Sequence, residues 1–227
     1  FPWQIDFFLP QGSRFLFARP RIINPHAYTL PMYWWSNIAV PEHPDLRTLA
    51  PAMDALSHPP GTGVLTVLPV PRPAGFDVSY PTNAPAAGEA FFRIPAGQRK
   101  WIAQVDREGK GLVHASTDRL LGRKMFFWGM NQGGRRWQEM LSVDGHAYIE
   151  LQGGLARTQL ETVPMPGGEC WSWTEAYGML SMAPEVAHGE DWELAWRAAD
   201  ASLERVLPRQ HVEGLHARLE SCASAPP

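Results

Sequence analysis

Short runs of alternating apolar and polar residues dominate the chain from its start to about residue 180. Alternation with a period of two is typical of strands that bury one face. Most of the 22 prolines lie between these runs, where they interrupt no hydrogen-bonded ladder. The pattern predicts a mainly β protein, an antiparallel β-sandwich rather than a series of βαβ units. The predicted strands are Trp3–Leu9, Arg14–Ile23, Tyr33–Val40, Gly63–Val70, Glu89–Ile94, Trp101–Val105, Gly111–Ser116, Arg123–Trp128, Ala147–Gln152 and Glu169–Glu175.

The pattern changes after Pro184, where the period becomes helical. From Glu190 onward, apolar residues recur at spacings of three and four, which predicts an amphipathic helix that Pro208 ends. A second stripe follows, so we divide the chain into a sandwich, residues 1–183, and a helical hairpin, residues 184–227. The two stripes are Trp192, Ala195, Trp196, Ala199, Leu203 and Val206, and then Val212, Leu215, Leu219 and Cys222. The hairpin either packs on the sandwich or opens an array of helical repeats.

The stretch from Pro41 to Pro60 is rich in Pro and His and shows little alternation. We predict a long loop there, with His43 and His58 in solvent. Loops of this length without secondary structure are usually functional or mobile.

Composition limits the classes of function. A net charge of −3 at pH 7 provides no basic surface for nucleic acid or anionic membranes. No apolar run approaches the roughly 18 residues of a membrane helix. With two cysteines far apart in sequence, we expect no disulfide framework and a cytoplasmic protein. The eight histidines lack metal-ligand spacing and the glycines lack a phosphate-loop pattern, so we expect neither a metal nor a cofactor.

The strand around Glu150 is the most informative for function. Alternation places Ile149 and Leu151 on one face, which is apolar. Tyr148, Glu150 and Gln152 lie on the other face. A row of phenol, carboxylate and amide suits a cleft that binds sugar hydroxyls, with the carboxylate as general base or nucleophile. The alternative is a glutamate that faces solvent or pairs with a nearby arginine.

A second strand places an aromatic ring beside an amide. Alternation puts Trp34 and Ser36 on the core face. Trp35 and Asn37 then lie on the opposite face, where we expect them to contact a sugar. The alternative is that both tryptophans belong to the core.

A third segment carries a Gly-Gly pair, which predicts a turn that brings Arg136, Trp137 and Glu139 to the start of a strand. Glu139 is a candidate second catalytic carboxylate, because glycoside hydrolysis usually needs two, about 5 Å or about 6.5–9.5 Å apart. Arginine binds carboxylates and hydroxyls through its forked donors. We therefore expect Arg136 and Arg157, together with Trp128 and Trp137, to contact the ligand.

Three runs carry a family resemblance: "NPHAYTLPMYWWSNIAVPE", "GRKMFFWGMNQGGRRWQEML" and "YIELQGGLARTQLE". They resemble an uncharacterised domain that precedes tetratricopeptide repeats in bacterial proteins and is itself similar to the galactose-mutarotase-like β-supersandwich superfamily. The resemblance covers roughly residues 3–180. It implies a large antiparallel sandwich with a concave, sugar-binding face, and a helical tail that opens a repeat array. It also implies a further N-terminal lobe of the same polypeptide that completes the cleft.

The resemblance bears on mechanism as well. Aldose epimerases carry a late Glu-x-Gln strand whose Glu removes the anomeric hydroxyl proton, and the segment Glu150–Gln152 resembles that element. The epimerase acid is a His that follows an Asn-rich turn. The corresponding segment here, Trp34–Asn37, has no His, which argues against simple aldose epimerisation.

Three functions stay open at this point. We favour a glycoside hydrolase or epimerase-like enzyme that uses Glu150, partnered by Glu139, Glu42 or a residue of the implied lobe. The second is a non-catalytic carbohydrate-binding domain on a repeat scaffold. The third is a structural domain with an ordinary aromatic core. The expected partners are a carbohydrate and the implied lobe, with a homodimer as an open alternative.

Overall fold

The computed structural model describes residues 1–58, 63–73 and 75–223, with side chains as far as Ser221. The strands are β1 (Trp3–Phe8), β2 (Phe15–Ile23), β3 (Leu30–Met32), β4 (Trp35–Pro41), β5 (Arg47–Leu49), β6 (Asp54–Ser57), β7 (Thr66–Pro69), β8 (Gly88–Phe92), β9 (Trp101–Val105), β10 (Lys110–Ser116), β11 (Gly122–Phe127), β12 (Tyr148–Gly154), β13 (Val163–Met165), β14 (Cys170–Ser172) and β15 (Glu175–Ser181). The α-helices are α1 (Gln132–Leu141), α2 (Pro184–Ala187), α3 (Trp192–Val206) and α4 (Arg209–Ala223).

Two antiparallel sheets form a sandwich. The first sheet has the order β1-β2-β15-β10-β9-β5, with β14 also paired to β2, and the second has the order β4-β12-β11-β8-β6-β7. Strands β13 and β3 pair separately. One hydrophobic cluster contains fully buried side chains from both sheets, among them Ala103, Met125 and Ile149. The predicted antiparallel sandwich is confirmed.

The C-terminal helices pack on this sandwich. Helix α3 buries Trp192, Ala195, Trp196, Ala199 and Leu203 in the main hydrophobic cluster, which also takes in Val212 and Leu215 of α4. Both predicted stripes are therefore confirmed in these positions. Val206 is 50% exposed, because the chain leaves the helix there and the next residue, Leu207, takes the buried place. Cys222 lies outside the part of the chain whose side chains are described.

Three side chains fix the helical region to the sandwich. Arg47, on β5, is 1% exposed and donates from Nη1 to the carbonyls of Ala187 and Gly189 over 2.8 Å each. Trp192 donates its indole N–H to the carbonyl of Ala52, and Trp101 donates to Asp200 on α3. That further helical repeats follow this hairpin stays a prediction. Among the described helices, none has the length and hydropathy to cross a membrane.

The loop predicted from Pro41 to Pro60 is wrong at residues 47–49 and 54–57, which form strands. It contains β5 and β6, which pair with β9, β7 and β8. Strands of three or four residues are too short to show alternation, and all three residues of β5 are buried. The last two residues of the predicted loop, Pro59 and Pro60, lie outside the described ranges.

Two other predictions need correction. The strand predicted over Glu169–Glu175 is divided into β14 and the start of β15, so β15 was missed beyond its first residue. The turn predicted after Gly129 is the helix α1, capped by Asn131, whose side chain accepts from the Gly134 amide. The buried positions of α1 are Gly134 and Gln138. Its apolar residues, Trp137, Met140 and Leu141, recur at helical spacing but are exposed, so they do not mark the face by which the helix packs.

Candidate functional site

Glu150 lies on the face of the second sheet that is turned away from the core, here called the outer face. Its chain neighbours Ile149 and Leu151 are fully buried on the opposite side, as predicted. In the antiparallel register, Glu150 lies directly across from Ala39 on β4 and from Phe126 on β11. Residues directly opposite in such a ladder share a face. The outer face therefore carries parallel rows of side chains from β4, β12, β11 and β8.

Two amides hold the Glu150 carboxylate. Asn37 Nδ2 and Gln152 Nε2 each donate to Glu150 Oε2 over 2.7 Å. Both bonds fall on one oxygen, and among the described residues no donor bonds to Oε1. Glu150 is half-buried and Asn37 is exposed. The site thus presents a carboxylate whose orientation is fixed through one oxygen while the other is available to a ligand.

The hydrogen bonds continue across the outer face. Gln159 donates to Gln152 Oε1, and Lys124 donates to Gln159 Oε1, over 2.6 Å each. Lys124 Nζ also lies 2.9 Å from Glu89 Oε2 on β8, and Glu89 Oε1 lies 2.8 Å from His58 Nδ1. A chain of polar groups therefore runs from Asn37 to His58 across four strands.

An aromatic cluster borders the Glu150 end of this chain. Phe126 meets Trp128 edge-on at 4.9 Å between ring centroids, and Trp128 stacks on Trp137 at 5.9 Å. Tyr148 meets Trp128 edge-on at 6.2 Å. The predicted ligand residues Trp128, Trp137 and Tyr148 are thus brought together, with Trp137 50% exposed.

Helix α1 positions this aromatic cluster. Gln138 donates its side-chain amide to the Tyr148 carbonyl over 2.6 Å and accepts from the Tyr148 amide over 3.1 Å, which ties α1 to the start of β12. Gly134 lies against the backbone, since a Cβ there would meet the Trp128 carbonyl oxygen at 2.2 Å. The close approach of the helix places Trp137 over Trp128.

Trp35 lies on the predicted outer face, where its ring packs against neighbouring residues and is only partly exposed. It is half-buried and meets Phe91 edge-on at 5.9 Å. Its ring covers two glycines, because a Cβ at Gly154 or Gly122 would meet ring atoms at 2.3 Å and 2.7 Å. Trp34, predicted for the core face, packs edge-on against Trp173 in a second hydrophobic cluster.

Other predicted site residues do not gather around Glu150. Arg136 and Glu139 are exposed on α1, and Glu139 lines a groove with residues 143–147 that does not include Glu150. Arg157 is exposed and lines another groove, beside Lys100. Glu42, the other considered carboxylate partner, is bound by Arg135 at 2.7 Å. Instead, Glu89 lies in the same cross-strand row of the outer face as Glu150, with Phe126 between them.

Four residues of the polar chain were missed: His58, Glu89, Lys124 and Gln159. Alternation around Ala90 and Met125, both buried, would have placed Glu89 and Lys124 on the outer face. His58 was predicted to be solvated, yet it bonds to Glu89. Gln159 lies in a loop, and no pattern in the sequence indicates its partner.

The most strongly perturbed titratable groups lie in the interior. Glu175 is 1% exposed, and its carboxylate accepts from Ser36, Trp173 and Tyr177 and lies 2.9 Å from His114 Nε2. Burial alone would raise the pKa of Glu175, but its bonds with His114, Ser36 and Tyr177 outweigh burial and hold the pKa at about 2.

His114 lies in the same buried cluster as Glu175. It is fully buried and stacks on Tyr177 at 4.5 Å. Burial, and then the charge of Arg123, lower the pKa of His114. Shifts of this kind often mark active sites. Here both groups are closed off from solvent, and Glu175 joins β15 to β4 of the other sheet, so the cluster is part of the core.

The two packed antiparallel sheets have the fold seen in a galactose mutarotase-like protein. The chain belongs to the family described as a domain of unknown function, DUF5107, whose model matches residues 1–174. The resemblance inferred from the three sequence runs is confirmed.

Solved structures share this fold. A TPR-domain containing protein from Parabacteroides distasonis ATCC 8503 superposes with a TM-score of 0.65 at 22% identity, over 78% of this chain and 30% of that protein. A galactose mutarotase-like protein from Clostridium acetobutylicum gives 0.52 at 9% identity, over 79% and 62% of the two chains. A galactose mutarotase related enzyme from Lactobacillus acidophilus gives 0.51 at 9% identity, over 80% and 62%. The chain thus spans less than two thirds of the length of each.

Proposed function

We propose that this chain binds a carbohydrate on the outer face, with Glu150 as its central hydroxyl acceptor. The observation that carries the proposal is the Glu150 carboxylate, fixed through Oε2 by Asn37 and Gln152 while no described residue donates to Oε1. A sugar hydroxyl donates well to such an oxygen, and a charged acceptor makes the stronger kind of hydrogen bond. The fold shared with galactose mutarotase-like proteins supports the same assignment.

The rest of the face complements a sugar ring. Phe126 lies between Glu150 and Glu89 in the strand register. Since neighbouring strands are about 4.8 Å apart, the Cα atoms of the two glutamates are about 10 Å apart, which leaves room for a pyranose over Phe126. Lys124 and Gln152, which are 4% and 5% exposed, hold the carboxylates of Glu89 and Glu150 in place on this face. Trp137, half exposed, offers a flat apolar surface at the border.

Catalysis is the second candidate, in the form of an epimerase-like or glycoside hydrolase reaction. Glu150 Oε1 would remove a hydroxyl proton as general base. Hydrolysis would need a second carboxylic acid to protonate the leaving group. Glu89 is already bonded to Lys124 and His58, and Glu139 lines a different groove. The geometry therefore supports binding better than hydrolysis.

A glycan array probed with the labelled protein tests the proposal, followed by calorimetric titration of the sugars that bind. We expect Glu150→Gln, which keeps the shape and removes the charge, to weaken binding about tenfold or more, because a hydrogen bond to a charged acceptor is lost. Glu108→Gln, at an exposed glutamate paired with Lys110, is the matched control. Equal affinity in the wild type and in Glu150→Gln would refute the assignment.

Turnover is measured on the same sugars. Exchange between anomeric protons, followed by NMR, reports epimerisation, and release of reducing ends reports hydrolysis. Activity that disappears in Glu150→Gln would establish catalysis. Binding without turnover would establish a carbohydrate-binding module.

A further inference from the structure

Glu150 lines a groove that extends from the outer face along β4, here called the Glu150 groove. Its volume is about 540 Å³, and Asn37 and Glu150 both line it, so it is continuous with the proposed sugar-binding face. The lining also includes Ala39, which is exposed and lies directly opposite Glu150 in the strand register. Pockets that hold small molecules have volumes of about 300–1,000 Å³. The groove therefore has room for a sugar residue next to the one over Phe126.

The connection from α1 to β12 supplies another part of the lining. Leu141 and Val143, which are 49% and 74% exposed, offer apolar surface. His146 follows a turn closed by its own amide on the Val143 carbonyl, with Gly145 at a φ of 76°, a conformation that favours glycine. The His146 ring is exposed and has no hydrogen-bond partner among the described residues. A sugar residue matches both surfaces, because its C–H groups can pack on Val143 and its hydroxyls can bond to the imidazole.

The Glu150 groove continues past His146. Val143 and His146 also line a second groove, of about 460 Å³, whose other lining residues include Gln138, Glu139 and Asp144. Carboxylates and amides bond to hydroxyls, whereas an apolar group that covers them would remove them from water without a new partner. The polar continuation therefore fits a chain of sugar residues better than an apolar substituent.

We propose that the Glu150 groove is a second sugar subsite, so that the ligand class is an oligosaccharide of two or more residues. The inference rests on the proposed sugar-binding function. One sugar residue lies over Phe126 with Glu150 as its acceptor, and the next lies over Ala39 and bonds to His146. Phe126, Glu150 and Ala39 form one row across β11, β12 and β4, so about 10 Å separate the two ends of the row. The oligosaccharide therefore runs across the strands.

Calorimetric titration with ligands of different length tests the subsite. The methyl glycosides of glucose, galactose and mannose are compared with the 1,3-, 1,4- and 1,6-linked disaccharides of the same sugars. We expect at least one disaccharide to bind about tenfold more tightly than its methyl glycoside. The octyl glycosides test the class of the second group. An octyl group that gives the same gain would show that the groove takes apolar substituents, and it would overturn the oligosaccharide assignment.

His146→Ala removes a polar contact of the second subsite from an exposed position, so the variant should fold. We expect it to lower disaccharide affinity about three- to tenfold, the effect of one lost hydrogen bond, and to leave the affinity for the methyl glycoside unchanged. His211→Ala, at an exposed histidine of α4, is the matched control and should bind both ligands as the wild type does. In the wild type, the backbone amide NMR signals of residues 143–147 should shift with the disaccharide and not with the methyl glycoside.

The outcomes separate this inference from the proposed function. Methyl glycosides that bind, with no gain for any disaccharide, leave the proposed function standing and overturn the second subsite. A disaccharide gain that survives in His146→Ala also overturns it, because the second sugar residue would then lie elsewhere. If no sugar binds, the proposed function fails and the subsite fails with it.

Discussion

Asn37 donates its side-chain amide to Glu150 Oε2 over 2.7 Å, from β4 to β12 across the outer face. The register makes this bond diagonal, because Asn37 lies directly opposite Gln152 and Glu150 lies opposite Ala39. Gln152 donates to the same oxygen from two positions along its own strand. One carboxylate oxygen is thus held from two strands, which fixes the direction of the other.

The first prediction concerns this restraint. Asn37→Ala removes one of the two donors, so the carboxylate gains rotational freedom that a bound sugar must take away. We expect sugar affinity to fall about three- to tenfold, the effect of one lost hydrogen bond of about 1 kcal/mol. Asn37 is exposed, so the midpoint of thermal unfolding should change little. Calorimetric titration and a thermal melt measure the two effects.

Asn83→Ala is the control for this change, because Asn83 also donates from its side chain in an exposed position, to the Asp77 carbonyl. It should leave sugar affinity unchanged. If Asn37→Ala binds sugar as the wild type does, the carboxylate orientation does not depend on this bond.

The second prediction concerns Trp137. Its ring stacks on Trp128 and is 50% exposed. Replacing Trp137 therefore removes exposed aromatic surface and opens no cavity in the core. We expect Trp137→Ala to weaken sugar binding by about two- to tenfold, the range of a single aromatic contact. Trp3→Ala, at a tryptophan 66% exposed on β1, should have no effect on binding. Quenching of tryptophan fluorescence by the sugar measures both variants.

Local patterns account for what the sequence could predict. The division of β12 into Ile149 and Leu151 inside and Glu150 and Gln152 outside follows from a period of two, which is a property of the strand itself. Such a pattern is absent from β5, whose three buried residues depend on pairing with β9.

Partners distant in sequence account for what was missed. Helix α1 is held through Gln138 and Gly134, a polar and a small residue, so its buried face has no hydrophobic signature. Gln159 enters the site from a loop, and its position depends on Gln152 and Lys124. Contacts of this kind are set by the assembled sheets and not by any run of residues.

The third prediction compares two glycines. A Cβ at Gly154 would meet the Trp35 ring at 2.3 Å, so Gly154→Ala should destabilise the protein by about 1–3 kcal/mol through overpacking. Gly133 lies in α1, where the nearest atom to a Cβ is Asn131 Oδ1 at 3.6 Å. Gly133→Ala should therefore stabilise the protein by about 0.5–1 kcal/mol, since alanine loses less entropy in a helix. Chemical denaturation measures both, and a stabilising Gly154→Ala would contradict the packing of Trp35.

The fourth prediction concerns acid stability. The folded protein lowers the pKa of His114 below its usual 6.5 and that of Glu175 from 4.5 to about 2. Both groups therefore bind protons more readily in the unfolded chain than in the folded protein. Their contribution to the free energy of unfolding is fully present above the unfolded pKa and is lost as the pH falls below it. The free energy of unfolding should therefore decrease below about pH 6.5 through His114. A further loss on the order of 3 kcal/mol should follow between pH 4.5 and pH 2 through Glu175.

Denaturant titrations at a series of pH values separate the two groups. His114→Gln cannot titrate, so its free energy of unfolding should depend less on pH between 7 and 5 than that of the wild type, whatever its absolute stability. His216, whose pKa burial also lowers, contributes in the same interval, and His216→Gln measures its share. A wild-type slope in His114→Gln would mean that His114 is protonated in the folded protein, and the buried cluster would then carry a charge that its surroundings do not favour.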